Sequence, residues 1–475
     1  MKTFYWYDYE TFGLSPRVQR IAQFAGIRTD ENLNILDEHM FYCKPTHDCL
    51  PAPEACAVTG ITPQLCEQKG LIEHEFIKKI NKEFTVPQTC IVGYNSIAFD
   101  DEFTRHTLFR NFLDPYAWHW QNGNTRWDIL NVARFCYAHK EQESLEWVKN
   151  ENNRPIFKLD RLAPANAIDH SNAHDAMADV RATIGIAKII QETQPIFFNY
   201  ALSLNAKKEV SRQVKILHPM LLTSSTFGYK CSFTRMVTAL CYHPDYPDRA
   251  IVFNLEQDPE IILELESNEL KTLVFTKKAD LPKGVDKLEL NELIFNKSPM
   301  FVCSPKPDNF KLSPLLIEKL QVDMDKCMKN LSYIQNNQKQ IEKIVQSIYK
   351  KDPEREMSND IDQSLYDNFV SNKDRKICNH IQSLSSNEIG LLNPNFEDRR
   401  LLKLFLNFKA RNYPELLSED EQEEWFEIVQ SRVQNGENGF LSFDSFENSL
   451  YNLKNNNPEK DKLWQDLEAY AQTFL

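Results

Sequence analysis

The hydrophobic and polar positions of this chain alternate between two periods. Residues up to about 195 read as strands interleaved with helices. The run Phe4-Tyr5-Trp6-Tyr7-Asp8-Tyr9-Glu10-Thr11 is an aromatic strand candidate, Arg20–Thr29 a second strand with a turn at Asp30–Asn34, and Phe41-Tyr42-Cys43 a third, ended by Pro45. Pro51 to Gln64 is turn-rich, a helix is expected across about Phe76–Phe84, and Cys90–Asn95 reads as a buried strand that runs into a helix start at Ser96–Glu102. A helix with apolar Val180, Ile184, Ala187 and Ile190 runs to about Gln191. Strands interleaved with helices predict an α/β fold with a mixed sheet covered by helices.

From about 200 to 350 the pattern shortens. Phe233–Leu240 and Ala250–Asn254 are strand-like with Pro-Asp turns between them, shorter strands are expected near Lys271–Phe275, and a helical segment near Pro314–Lys350. Lys351–Glu356 is a plausible linker, and Arg399–Phe408 and Glu421–Val433 have amphipathic helical spacing. Three domains are predicted: 1–197, a β-rich domain with a helical extension at 198–350, and a helical domain at 351–475. A chain of 475 residues exceeds what one core usually supports. There is no internal repeat and no low-complexity tract.

Composition narrows the function. The 42% hydrophobic and 26% charged residues are those of a soluble globular protein. The N-terminus has no charged region followed by an apolar one, so no signal peptide is expected, and no apolar run approaches the length of a membrane span. The 11 cysteines are scattered with no Cys-x-x-Cys pair, which argues against a zinc site or disulfide framework and for a cytoplasmic location. A net charge of −13 argues against coating nucleic acid through overall charge, but not against a local basic channel.

The candidate chemistry begins at the first strand. Asp8 and Glu10, two residues apart, point to one side of it, and two such charges repel unless a cation lies between them. Asp100 sits just past a buried strand, where ligand sites of α/β sheets gather, whereas Asp101 and Glu102 are accounted for as acids complementing a helix N-terminus. Asp179 lies in the first turn of the later helix, and His174 in the loop before it can swing over a site that Asp179 lines. Four converging carboxylates need divalent cations, and oxygen ligands of this kind suit Mg²⁺ or Mn²⁺. Two such ions clamp both oxygens of a phosphodiester displacement, with a neutral His as general base. Arg105, His106, Arg110, Tyr116, Trp118, Trp120, Arg126, Trp127, Arg134, Tyr137 and Lys140 interleave aromatic and basic side chains as single-stranded nucleic acid requires, although at least half of the tryptophans are expected in the core.

Asp8-Tyr9-Glu10-Thr11, Tyr94-Asn95-x-x-x-Phe99-Asp100 and His174-x-x-x-x-Asp179 resemble the three motifs of the DEDDh exonucleases, and Val58-Thr59-Gly60-Ile61-Thr62 resembles the loop those enzymes place against the terminal nucleotide. His170–Asp179, Phe41–Pro45 and Asp114-Pro115-Tyr116-Ala117-Trp118 resemble the bacterial exodeoxyribonuclease I family. That resemblance implies a ribonuclease H-like (DnaQ-like) exonuclease domain, an SH3-like domain and a helical C-terminal domain. It implies Mg²⁺-dependent, processive 3′→5′ degradation of single-stranded DNA to 5′-mononucleotides, in DNA repair and recombination. By position, Asp8, Glu10, Asp100 and Asp179 would hold two Mg²⁺ ions (Mn²⁺ able to substitute), and His174 would be the base. Glu10, Lys158, Arg105, Tyr116, Trp120, Arg134, Thr59, Gly60 and Ile61 would contact substrate, Lys158 standing where the family usually has arginine. The resemblance also implies binding of the C-terminal tail of the single-stranded DNA-binding protein near Lys140 and Tyr200, and a monomer in the bacterial cytoplasm, at the nucleoid through its DNA. The alternatives are a 3′→5′ exonuclease acting on RNA, a proofreading nuclease, or a non-catalytic single-strand-binding adaptor.

Overall fold

The computed structural model describes residues 2–140, 144–170, 175–303, 314–351 and 357–474. It forms two compact units, one of Met1–Thr125, His170–Arg181 and Glu356–Leu475, the other of Arg126–Asp169 and Ala182–Arg355. In the first, β1 (Thr3–Thr11), β2 (Ile21–Thr29), β3 (Ile35–Tyr42), α1 (Pro53–Thr59), α2 (Pro63–Lys69), α3 (Glu73–Phe84), β4 (Thr89–Gly93) and α4 (Asp100–Arg110) follow one another. The strands hydrogen-bond in the order β3-β2-β1-β4, with β1 antiparallel to β2 and parallel to β4.

The period of β1 explains its place. Tyr5, Tyr7 and Tyr9 join Phe24, Phe76, Ile80 and Phe84 in one apolar cluster, so the even-numbered Asp8 and Glu10 are turned to the opposite face. Tyr7 donates its hydroxyl to Asp101 Oδ1 at 2.7 Å, and the Tyr9 hydroxyl lies 2.9 Å from Thr104 Oγ1. These two bonds fix the first turn of α4 against β1.

Three expectations change here. β3 starts at Ile35, well before Phe41, because the polar run Asp37-Glu38-His39 interrupts the apolar pattern between Leu36 and Met40. The turn-rich stretch Pro51–Gln64 contains all of α1 and the start of α2. Pro53 and Pro63 open these helices, since a first-turn residue needs no donated N–H. Asp101 stands in the first turn of α4 as expected, but it is also buried and accepts the Tyr7 hydroxyl, a tie to β1 beyond complementing the helix end.

β5 (Thr125–Asp128) leads into the second unit, which holds α5 (Ile129–Lys140) and α6 (Leu159–Ala165); α7 (Ala176–Thr193) belongs to the first unit through Arg181 and to the second beyond it, followed there by α8 (Pro195–Ser203) and α9 (Lys207–Gln213). Strands β6 (Pro219–Thr223), β7 (Thr234–Tyr242), β8 (Arg249–Asn254), β9 (Leu290–Ile294) and β10 (Met300–Cys303) form an antiparallel sheet in the order β10-β6-β7-β8-β9. Between β8 and β9 lie α10 (Ile261–Glu264) and α11 (Ser267–Phe275). The strand expected at Lys271–Phe275 is therefore helical: Glu266 and Glu269 form a reciprocal capping box, and Leu270 and Val274, four apart, are buried on one face. α12 (Pro314–Leu320), α13 (Met324–Asn336) and α14 (Gln338–Tyr349) follow, and Ile341, Val345 and Ile348 share a core with Met236 and Leu240. Most of the expected linker, residues 352–356, lies outside the described residues.

The C-terminal helices return to the first unit as α15 (Asn372–Ile381), α16 (Ser386–Leu391), α17 (Arg399–Asn412), α18 (Glu419–Val433), α19 (Phe443–Asn456) and α20 (Asp461–Ala471). Leu404, Phe405 and Phe408 share a core with Phe109 and Phe112, while Trp464 and Leu467 share one with Cys56, Ile61 and Cys66. A buried charge network joins the same segments. Asp48 bonds Arg20 and Arg411 at 2.8 Å and also Arg432, and Asp362 pairs with Arg411 and, at 2.9 Å, with Arg432. Glu73 holds Arg110 at 3.0 Å, and Asp360 holds Arg432 at 2.8 Å.

Candidate active site

Asp8 and Glu10 leave β1 on the face away from the tyrosines, and Asp179 stands in the first turn of α7. One carboxylate oxygen from each of the three lies within 4.8 Å of the others. Asp100, the first residue of α4, is buried close enough for its charge to act on both strand acids. Desolvation and then the charges of Asp179, Asp100 and Asp175 push Glu10 up to about 9. Asp8 is held well above the usual carboxylate range by desolvation, then by Asp100, Asp179, Glu10 and Asp175. Without a counter-cation such a cluster keeps protons instead of charge. Hard oxygen donors this close, in a desolvated setting, fit a divalent cation, which would restore their ionised form.

The sequence leads to this site by two strand ends and two helix starts. Asn95, at φ +65°, turns the chain out of β4 toward α4, a conformation that Asn tolerates better than most residues. His170 Nε2 hydrogen-bonds Asp179 Oδ1. His170 was not singled out from sequence, although it lies in the same run as Asp179; nine residues of separation give no periodic signal. Asp175 is a second acid that sequence reading passed over, and its charge acts on both Asp8 and Glu10. His174 lies outside the described residues.

The expected substrate residues fall in different settings. Gly60 ends α1 in the left-handed region at φ +69°, where a side chain is strained, and Thr59 Oγ1 accepts from Ile61 N at 3.1 Å. Thr59 is half-buried and Gly60 exposed, but the Ile61 side chain is buried in the cluster with Trp464 and Leu467. Arg105 is buried, pairs with Glu102 at 2.5 Å, and lies 5.7 Å from the Tyr116 ring centroid. Tyr366 donates to Glu102 Oε2 at 2.5 Å, so a C-terminal side chain completes this group. Tyr116 is half-buried, and Trp120 is 61% exposed while Trp118 and Trp127 are fully buried. In the second unit, Lys158 is exposed at the start of α6, and Arg134 bonds Asn131 Oδ1 and lies over the Phe157 ring. Lys140 ends α5, half-buried. The Tyr200 hydroxyl donates to Phe301 O at 2.8 Å and lies 3.1 Å from Gln213 Oε1, contacts internal to that unit. Among the described residues no helix is long and apolar enough to cross a membrane.

A family model described as "Exonuclease" matches residues 5–187, one described as "Exonuclease I SH3-like domain" residues 205–351, and one described as "Exonuclease I C-terminal domain" residues 359–474. The exodeoxyribonuclease I of Haemophilus influenzae is 38% identical over 477 residues, covering 100% of this chain and 99% of the relative. The crystal structure of Escherichia coli exonuclease I in complex with a dA16 oligonucleotide superimposes with a TM-score of 0.92 at 35% identity, over 100% of both chains. A crystal structure described as SSB/exonuclease I in complex with an inhibitor gives 0.89 at 33% identity, again over 100% of both. With three acids converging as the motifs require and three domain models matching in order, the chain belongs to the exodeoxyribonuclease I family.

Proposed function

We propose that this family member, a 3′→5′ exonuclease of single-stranded DNA, hydrolyses the strand at a site where Asp8, Glu10, Asp100 and Asp179 hold two Mg²⁺ ions, with Mn²⁺ able to substitute. The observation that carries this reading is the convergence of Asp8, Glu10 and Asp179 within 4.8 Å. Bound divalent cations supply charge neutralisation for the phosphodiester and its leaving oxygen. Asp8 and Glu10, on a strand, and Asp100 and Asp179, at helix starts, are fixed by backbone hydrogen bonding, so the ligand set needs little reorganisation. His174 takes the proton of the attacking water, and His170 orients Asp179. The Thr59–Ile61 loop receives the terminal nucleotide, Trp120 and Tyr116 stack on bases, and Lys158, Arg105 and Arg134 meet the backbone. The products are 5′-mononucleotides, released processively.

Segments 1–197, 198–350 and 351–475 are the nuclease, SH3-like and helical modules of this reading. A monomer in the bacterial cytoplasm, working on nucleoid DNA, would bind the C-terminal tail of the single-stranded DNA-binding protein beside Lys140 and Tyr200. The neighbour whose description pairs SSB with exonuclease I supports that partner.

The test uses single-stranded DNA labelled at either end, with Mg²⁺ or EDTA, followed by product sizing. Mononucleotides released from the 3′ end only with Mg²⁺ are expected, with a matched RNA resisting. His174→Ala should lower turnover by about 10²–10⁴-fold while DNA binding persists. Turnover near wild type in that variant removes His174 from the mechanism.

A further inference from the structure

The second unit carries a basic and aromatic surface formed where two loops meet. Residues 149–155 form a tight hairpin: Lys149 bridges Pro155, Asn150 N donates to Arg154 O at 2.9 Å, and Asn150 Oδ1 accepts from Arg154 N at 2.9 Å. Arg154 is exposed, and its guanidinium lies 5.7 Å from the ring centroid of Tyr229 in the loop between β6 and β7. The hairpin runs into Phe157, whose ring meets Phe233 at 5.4 Å and so ties the same two loops together below the surface. Lys158 and Arg161 follow one helical turn apart, and Lys230 is adjacent to Tyr229; all three are exposed. Arg154, Lys158, Arg161 and Lys230 make no ion pair with any described residue. In a chain of net charge −13, four accessible cations beside a half-exposed ring are a local inversion of sign that the fold does not use.

We propose that Arg154, Tyr229, Lys230 and Arg161 are a further contact for single-stranded DNA, extending the surface beyond Lys158. The cations hold backbone phosphates, and Tyr229, one face steadied by Arg154, offers its ring to a base. An acidic peptide would also meet the cations, but it would leave the ring without a partner, so a nucleic-acid strand fits both halves of the surface. This inference rests on the single-stranded DNA reading above.

The test measures binding of a labelled dT16 strand to the full-length protein in EDTA from 50 to 300 mM salt, for the wild type, Arg154→Gln/Lys230→Gln and Arg154→Lys/Lys230→Arg. Each lost phosphate contact on a single strand lowers the slope of log K against log salt by about 0.7. The glutamine pair should therefore reduce the slope by about 1.4, and the charge-conserving pair should restore it. Tyr229→Leu should weaken binding about 5–160-fold with the slope unchanged, the range expected for one stacked base. A wild-type slope in the glutamine pair overturns the inference, as does a loss confined to an acidic peptide titrated in parallel. If the wild type fails to bind dT16 or to digest it with Mg²⁺, the functional reading itself fails. If it does both and only the slope stays fixed, the inference alone fails.

Discussion

Asp362→Ala tests what joins the C-terminal helices to the nuclease sheet. The Asp362 carboxylate is fully buried, pairs with Arg411 and Arg432, and lies 3.6 Å from Arg20. Those guanidiniums also share Asp48, and the surrounding network sets four arginines (Arg20, Arg110, Arg411, Arg432) against four carboxylates (Asp48, Glu73, Asp360, Asp362). Removing one carboxylate leaves a net positive charge with no water to solvate it. Breaking a buried pair in this way costs about 3–5 kcal/mol. For a unit of this size, about 2–4 °C of Tm per kcal/mol translates this into a fall of roughly 6–20 °C. Calorimetry of the DNA-free protein at pH 7 should show the drop. Asp362→Ala/Arg411→Ala should cost less than the sum of its single variants, because charge balance is partly restored. A loss below about 1 kcal/mol, or strict additivity, would show that the network is solvated or redundant and refute the reasoning.

Three further outcomes follow from the same electrostatics and exposures. Asp8→Asn should abolish nucleotide release yet raise the Tm of the metal-free protein, because it relieves repulsion in the acid cluster; Mn²⁺ should then stabilise the wild type more than the variant, as a thermal-shift titration would report. Burial lowers His106 and His139 to about 3, so the folded state disfavours their protonation and the unfolded state binds protons first. Their contribution is complete above about pH 6.5 and lost as pH falls toward 3; a urea midpoint that stays flat from pH 7 to pH 4 would contradict this. Trp120→Ala should leave Tm nearly unchanged, since the side chain is 61% exposed, but weaken single-stranded DNA binding by about 1–3 kcal/mol in a fluorescence titration.

The sequence by itself determined the elements whose information is local. The period-two alternation of Tyr5, Tyr7 and Tyr9 with Asp8 and Glu10 set which face of β1 is core and which carries the acids. The motif at Asp100 and the acid at Asp179 each named a helix start, whereas Asp175, whose charge acts on the same cluster, carried no such signal. Tertiary structure decided what depends on distant partners. Asp48, Asp362, Arg411 and Arg432 are ordinary surface-type residues in sequence, and only a fold that brings together positions hundreds of residues apart makes them a buried network. His170 meets Asp179 only in the fold, across nine residues that carry no periodic signal. Arg105 gave no sign in sequence of the Glu102 and Tyr366 side chains that the fold gathers beside it. Local pattern fixes the face a side chain presents; long-range packing fixes which charge lies opposite it, and at low dielectric that partner decides whether the residue serves the fold or the substrate.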